Sequence, residues 1–289
     1  MLRWRTARHV AAGLAVFVMA GGASNETQAA DYEFQADYRI SLNGLPIGRA
    51  NLQASFEGAE YRIDGSARLT GVAGLLFDFT STAAAAGRIG ANRPQPTAFS
   101  ADSTNGRVTK SVRMTLQRNA VRQLQLDPPV PPEETSHPEH VPITDAHRRD
   151  IVDPVTAMIG FGGYDGQNFD RSICQRAVPI FNGRERFDVR LEFAGERDLS
   201  SNSANGYSGP AIVCKARYRA IAGHRADMEE VEQLEDKMVF EVVLAPLVNS
   251  DLVVPYQVSV STPLGVASIS VSNLKAEGAM TTQSAAASR

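Results

Sequence analysis

Apolar and polar residues alternate with period two in segment after segment of this chain, and no other feature constrains its fold as strongly. From Tyr32 the even positions are Tyr32, Phe34, Ala36, Tyr38, Ile40 and Leu42, and the odd ones are Glu33, Gln35, Asp37, Arg39 and Ser41. Such a segment is a strand with one wet face. Asn43-Gly44 follows, a hairpin signal because both residue types tolerate positive φ. The chain returns through Ala50, Leu52, Ala54 and Phe56, turns at Glu57-Gly58-Ala59, and alternates again at Tyr61, Ile63, Ala67 and Leu69.

The pattern recurs in Val112, Met114 and Leu116, and in Phe187, Val189, Leu191 and Phe193. It recurs again in Ile212, Cys214, Ala216, Tyr218 and Ala220, in Met238, Phe240, Val242 and Leu244, and around Val258 and Ile269. Roughly ten to fourteen strands are expected, nearly all with one polar face, which excludes a parallel α/β sheet buried on both sides. One or two short helices are expected. One is a short apolar segment within Gly71 to Phe79. The other, about eight residues long, starts at Asp153, whose carboxylate caps the first turn while Pro154 takes the first helical position.

Between the two halves, residues 127–150 carry Pro128, Pro129, Pro131, Pro132, Pro138 and Pro142, and proline cannot sit inside a central strand. An irregular surface connection is expected there. Two separate sheets would each leave open edges, so a single curved antiparallel sheet over 30–277 is the favoured arrangement. Residues 278–289 are small and polar and read as a disordered tail.

Arg3, Arg5 and Arg8 precede an apolar run from Val10 to Ala20, and Thr27-Gln28-Ala29 suits signal-peptidase cleavage. Residues 1–29 therefore read as a Sec-type secretory signal, too short to span a bilayer as a mature helix. No cysteine follows the run to accept a lipid anchor. A periplasmic product with no integral membrane segment is expected. Without residues 1–29 the net charge falls from −3 to about −5, and the chain has no basic block that would mark a nucleic-acid partner.

Cys174 and Cys214 make an even pair in an oxidising compartment and read as a disulfide, with two buried free thiols as the alternative. Their spacing suits neither a redox Cys-x-x-Cys motif nor a structural zinc site. His137, His140 and His147, with Glu133, Glu134, Glu139 and Asp145, are metal-capable residue types. They lack helical His-x-x-x-His spacing and a scaffold, so a solvated loop and no metal are expected. Gly160, Gly162, Gly163 and Gly166 depart from a dinucleotide fingerprint and read as a surface turn. Gly206-Tyr207-Ser208-Gly209 lacks nucleophile-elbow spacing and reads the same way. No catalytic residue or cofactor is indicated.

The order of several segments carries a family resemblance. SLNGLPIGRANL comes first, then RPQPTAF, then DPVTAMIGF and Cys174. PIFNGRERFDVRLEF, Cys214 with KARYRAIAGH, and VPYQVSVSTPLGVASISVSNL follow. In that order they resemble the periplasmic proteins grouped as domain of unknown function 3108. The resemblance implies a β-spiral or incomplete barrel, related to proteins of Gram-negative envelope integrity, with Asp153-Pro154 at a helix start and both cysteines at family positions. It implies no agreed activity.

Two functions from different classes follow. In the first, a non-catalytic envelope-maintenance protein binds a lipidic or polypeptide ligand in an apolar concavity lined by Phe34, Tyr38, Phe56, Leu191, Phe193 and Tyr218, the large residues on the apolar parity of their strands. In the second, an envelope hydrolase or transferase acts on glycan or lipid, which requires polar groups converging on that concavity.

Overall fold

In the computed structural model, which describes residues 32–76, 78–90, 93–199 and 206–280, the chain folds into thirteen strands of one antiparallel sheet. The N-terminal meander is β1 (Tyr32–Leu42), β2 (Leu45–Glu57), β3 (Glu60–Leu69), β4 (Phe79–Ile89), β5 (Pro94–Asn105), β6 (Val108–Gln117) and β7 (Ala120–Asp127), with α1 (Gly71–Leu76) between β3 and β4. A connection containing α2 (Pro132–Thr135) leads to β8 (Ala177–Phe181), β9 (Arg186–Asp198), β10 (Pro210–Ala222), α3 (Glu229–Glu232), β11 (Phe240–Pro246), β12 (Val253–Thr262) and β13 (Gly265–Glu277). The expected signal segment lies outside the described residues. So does 281–289 of the expected tail, whereas Met280 is buried and donates its N–H to Asn249 O at 2.9 Å.

Alternation dictates the first hairpins as read. Asn43 and Gly44 take φ of 49° and 79°, and every even residue of β1 up to Tyr38 is buried. The β6–β7 turn needs two left-handed residues without glycine, Arg118 and Asn119 at φ 53° and 57°. Asparagine tolerates that region because its amide bonds locally. Here Asn119 is buried, donates to Pro94 O and Ile151 O, and accepts from Ile151 N–H at 3.1 Å. One turn residue thus ties the end of the connection to the sheet.

The two meanders join where β1 pairs with β13, giving the order β7-β6-β5-β4-β3-β2-β1-β13-β12-β11-β10-β9-β8. This corrects the expected β-spiral or incomplete barrel. The sheet is open, β7 and β8 are its two edges, and no ladder joins them. The reason lies in the edge strands. β8 has only five residues, Pro179 among them, and Val152 occupies part of its outer edge, donating to Pro179 O at 2.9 Å and accepting from Phe181 N–H at 3.0 Å. Pro128 ends β7. Short, proline-bearing or covered edges blunt further strand addition.

The one-wet-face rule also fails locally. Ala211, Ile212, Val213 and Cys214 of β10 are all buried, because a main core takes Ala211 and Val213 while a second core takes Ile212 and Cys214 with Ile173, Cys174, Leu244 and Val253. The connection supplies that second cover.

The helix expected from Asp153 does not form. Asp153 Oδ1 does cap, accepting from Val155 N–H at 3.0 Å and Thr156 N–H at 2.9 Å, but only a 3-10 turn at Thr156–Met158 follows. Gly160 then pairs with Val253 through two backbone bonds of 2.8 and 2.9 Å, which pulls the chain into extended form before a second turn can close. Gly160 and Gly163 are therefore no surface turn. A Cβ at either would meet the Ile173 and Val253 side chains, so glycine permits the close approach of loop and sheet. Gly166, at φ 95° with open space around it, is a turn as expected.

Candidate functional site

The disulfide expected from the cysteine pair is present. Cys174 and Cys214 are bonded with Cα atoms 5.3 Å apart, both fully buried. Cys174 ends a short 3-10 turn, Arg171–Cys174, capped by Asp170, whose carboxylate accepts from Ser172 N–H at 2.9 Å and Ser172 Oγ at 2.7 Å. Those bonds hold the Asp170 carboxyl below its ordinary range. The bridge pins this turn to β10, the third strand from the β8 edge, and delivers residues 176–180 to the edge beside β9.

A second anchor sits at the other end of the loop. Tyr61 on β3 contacts Thr156 Oγ1 through its hydroxyl at 3.1 Å, and its ring packs on Phe161 at 5.9 Å. Asp153 lies beneath, completely buried, with Oδ2 lacking a hydrogen-bond partner. Desolvation raises its pKa, and the bonds from Thr156 and Val155 offset part of the effect. A carboxyl whose native pKa exceeds the unfolded value binds a proton more readily when folded, so stability falls as pH rises from the ordinary aspartate range through the native pKa. Asp153→Asn, which keeps the Oδ1 cap, is expected to flatten that decline. Urea midpoints between pH 4 and 8 test this, and equal pH slopes for wild type and variant would contradict it.

Between these anchors lies an apolar cavity of about 470 Å³. Its walls come from β8 and β9 (Val178, Ile180, Val189, Leu191), from β10 to β13 (Ala216, Val242, Val258, Ile269), from β1 to β4 (Tyr38, Leu52, Ala67, Ala83) and from the loop (Val155, Met158, Gly160, Ile173). The volume arises because small side chains, Ala50, Ala67, Ala83, Ala216, Gly65 and Gly160, face it from several elements. Interiors otherwise pack to crystal density, and an unfilled apolar space of this kind accepts apolar guests. The size falls within the ~300–1,000 Å³ of small-molecule sites. Met158 and Ile269 are 39 % and 40 % exposed, so the cavity opens to solvent.

One charged group lines it. Arg176, Val178 and Ile180 share a parity and a wall, and the Arg176 carbonyl accepts from Leu191 N–H at 2.8 Å. Asn51, Ser66 and Ser81 are the remaining polar lining residues besides Tyr38, whose hydroxyl is spent on Pro255 O at 2.9 Å. No lining residue is Asp, Glu, His or Cys.

Of the six residues expected around a concavity, Tyr38 and Leu191 line it and the other four do not. Phe34 and Phe56 are closed core, with ring centroids 6.4 Å apart. Phe193 packs on the disulfide cluster with Arg171 over its ring at 4.7 Å. Tyr218 packs against Phe187 at 5.0 Å. Parity told which face is apolar, not which part of that face is filled. Arg176, Ile173 and the loop residues were missed because they lie outside any alternating segment. The run Ala83–Ala86 was the legible signal of missing side-chain volume.

The histidine-bearing connection is a solvated surface segment, with no residue of 127–150 buried, and it carries local hydrogen bonds. His137 Nδ1 accepts from Glu139 N–H and His147 Nδ1 from Thr144 N–H, each at 3.2 Å, and His140 bridges Arg225. Val141 and Gly223 exchange further backbone bonds with this region. Among the described residues no three of His, Cys, Asp and Glu converge as a metal site, and no helix is long and apolar enough to cross a membrane.

Fold and site together define an open antiparallel β-sheet protein with a disulfide-anchored loop over an apolar cavity. The chain belongs to a family described as protein of unknown function DUF3108, whose pattern matches residues 37–272 and so spans both anchors and the cavity. No curated protein matches it. Among solved structures it is similar to a beta-barrel-like protein of domain of unknown function DUF1849 from Brucella abortus, at 7 % identity over 86 % of this chain and 99 % of that one, with a TM-score of 0.44. At that score the likeness bears no weight on fold or function.

Proposed function

We propose that this is a non-catalytic periplasmic protein of a Gram-negative bacterium that supports cell-envelope integrity by holding an apolar ligand, lipidic or polypeptide, in the cavity between the sheet and the Asp153–Arg176 loop. The observation that carries the reading is the cavity itself, apolar on nearly every wall, open to solvent and left unfilled by small residues. A closed core of this size would lose packing contacts for nothing, since each unfilled methylene-sized space weakens a fold. The hydrolase or transferase reading needs acids, bases or nucleophiles converging on the ligand. The walls offer no carboxylate or imidazole for that chemistry.

The test uses filling instead of truncation. Ala67→Phe and Ala83→Phe place a ring into the cavity, and the variants should remain folded, with a melting temperature near that of wild type, because the space is already there. Cells lacking the gene are expected to become sensitive to detergent, and the filled variants are expected not to rescue them, while native extracts of wild-type protein carry a co-purifying apolar molecule by mass spectrometry. Full rescue by folded, filled variants would overturn the reading.

A further inference from the structure

Arg176 is the single charged residue lining a mostly apolar cavity, and among the described residues its guanidinium makes no ion pair and no side-chain hydrogen bond. It is exposed to solvent at the cavity mouth. Surrounding protein desolvates it and lowers its pKa from the ordinary arginine value, with the Asp170 charge acting the other way. The Asp170 charge acts on it without an ion pair or hydrogen bond between the two side chains, while the Asp170 oxygens accept from Ser172. The backbone that carries it is held in place: Cys174, two residues earlier, is bridged to Cys214, and the Arg176 carbonyl is bonded to Leu191 on β9. An exposed guanidinium at the mouth of a mostly apolar cavity is placed to receive an anionic head group.

From this arrangement we infer that the ligand is a single long-chain carboxylate, its acyl chain lying in the apolar cavity and its two oxygens received by the Arg176 guanidinium. The inference rests on the proposed ligand-binding function and narrows it. Carboxylate fits better than a neutral head because the planar guanidinium presents parallel N–H donors at carboxylate spacing, and a charge-assisted pair is stronger than a neutral hydrogen bond. No acidic residue lines the cavity to repel such a head or to compete for Arg176. Ile173 and Leu191, beside the arginine, continue directly into the apolar wall, so head and chain have adjoining partners.

The experiment is displacement of Nile red from the full mature protein by laurate and by 1-dodecanol, which share a chain and differ in the head. Laurate should bind at least about tenfold more tightly, the factor equivalent to one charge-assisted hydrogen bond near the low end of its range. Arg176→Gln should erase that preference and leave the dodecanol affinity unchanged, and Arg176→Lys should restore part of it. The melting temperature of both variants shows that they are folded. Equal affinities in wild type, or a preference that survives in Arg176→Gln, would overturn the carboxylate inference while the cavity reading stands. Failure of Nile red and both chains to bind wild type would overturn the cavity reading and this inference with it.

Discussion

Phe56→Ala is expected to destabilise the protein by about 3–5 kcal/mol, the cost of deleting a fully buried aromatic side chain. Phe56 on β2 is 1 % exposed, and its ring meets Tyr32 at 6.2 Å, Phe34 at 6.4 Å and Phe161 at 6.5 Å. The last contact makes it more than a hairpin residue. Phe161 belongs to the loop that covers the cavity, so the truncation removes the core and loosens the loop at once. Equilibrium urea unfolding measures the loss, and a change below about 1 kcal/mol, an ordinary value for a lightly packed site, would show that the aromatic cluster does not hold the loop.

Loss of the Cys174–Cys214 bridge is the second large effect. The cysteines are 40 residues apart in sequence, and closing such a loop stabilises by about 4 kcal/mol in the chain-entropy treatment, an upper figure because the unfolded chain retains structure. The double Cys→Ser variant should unfold at a correspondingly lower urea concentration and become sensitive to protease between Tyr164 and Ala177, the segment the bridge pins to β10. Since Arg176 lies in that segment, reduction should also weaken laurate binding by folded protein more than dodecanol binding. Alkylation of the native protein under denaturing, non-reducing conditions provides the direct check: capture of two free thiols per chain would contradict the bridge.

Both effects arise where the sequence was easiest to read locally and hardest to read globally. Phe56 sits on the apolar parity of its strand, so its burial was legible from period two alone. That its ring reaches Phe161, 105 residues later, was not. Cys174 and Cys214 were legible as a pair because two cysteines spaced for neither a Cys-x-x-Cys motif nor a zinc site read most simply as a disulfide. Their consequence, a turn clamped over Ile212, Leu244 and Val253, depends on contacts between segments that no periodicity links.

The helix expected at Asp153 shows how tertiary contact overrides a sound local signal. The cap forms with the donors expected of it, and the run of Val155, Thr156 and Ile159 is compatible with a short helix. Pairing of Gly160 with Val253 stops it after one 3-10 turn. Propensity is worth a few tenths of a kilocalorie per residue, and two backbone bonds to a sheet with side chains buried around them outweigh it. Similar reasoning covers the glycines at 160 and 163. Glycine in sequence reads as a turn, and only the position of Ile173 and Val253 reveals that the missing Cβ makes room for packing.

By itself the sequence determined an antiparallel β protein built of hairpin-linked strands, their apolar faces, the disulfide partners and the cap at Asp153, because each depends on residues close in the chain or on a count of cysteines. The tertiary structure decided whether the sheet closes and where its cavity lies. Closure failed because a five-residue edge strand carrying Pro179 is partly covered by Val152. The cavity exists because Ala50, Ala67, Ala83 and Ala216, small residues on four strands, are brought to one space with Arg176 at its wall. Alternation records which side of a strand faces inward, whereas the volume left between facing side chains depends on which strands meet, and that is set by long-range pairing alone.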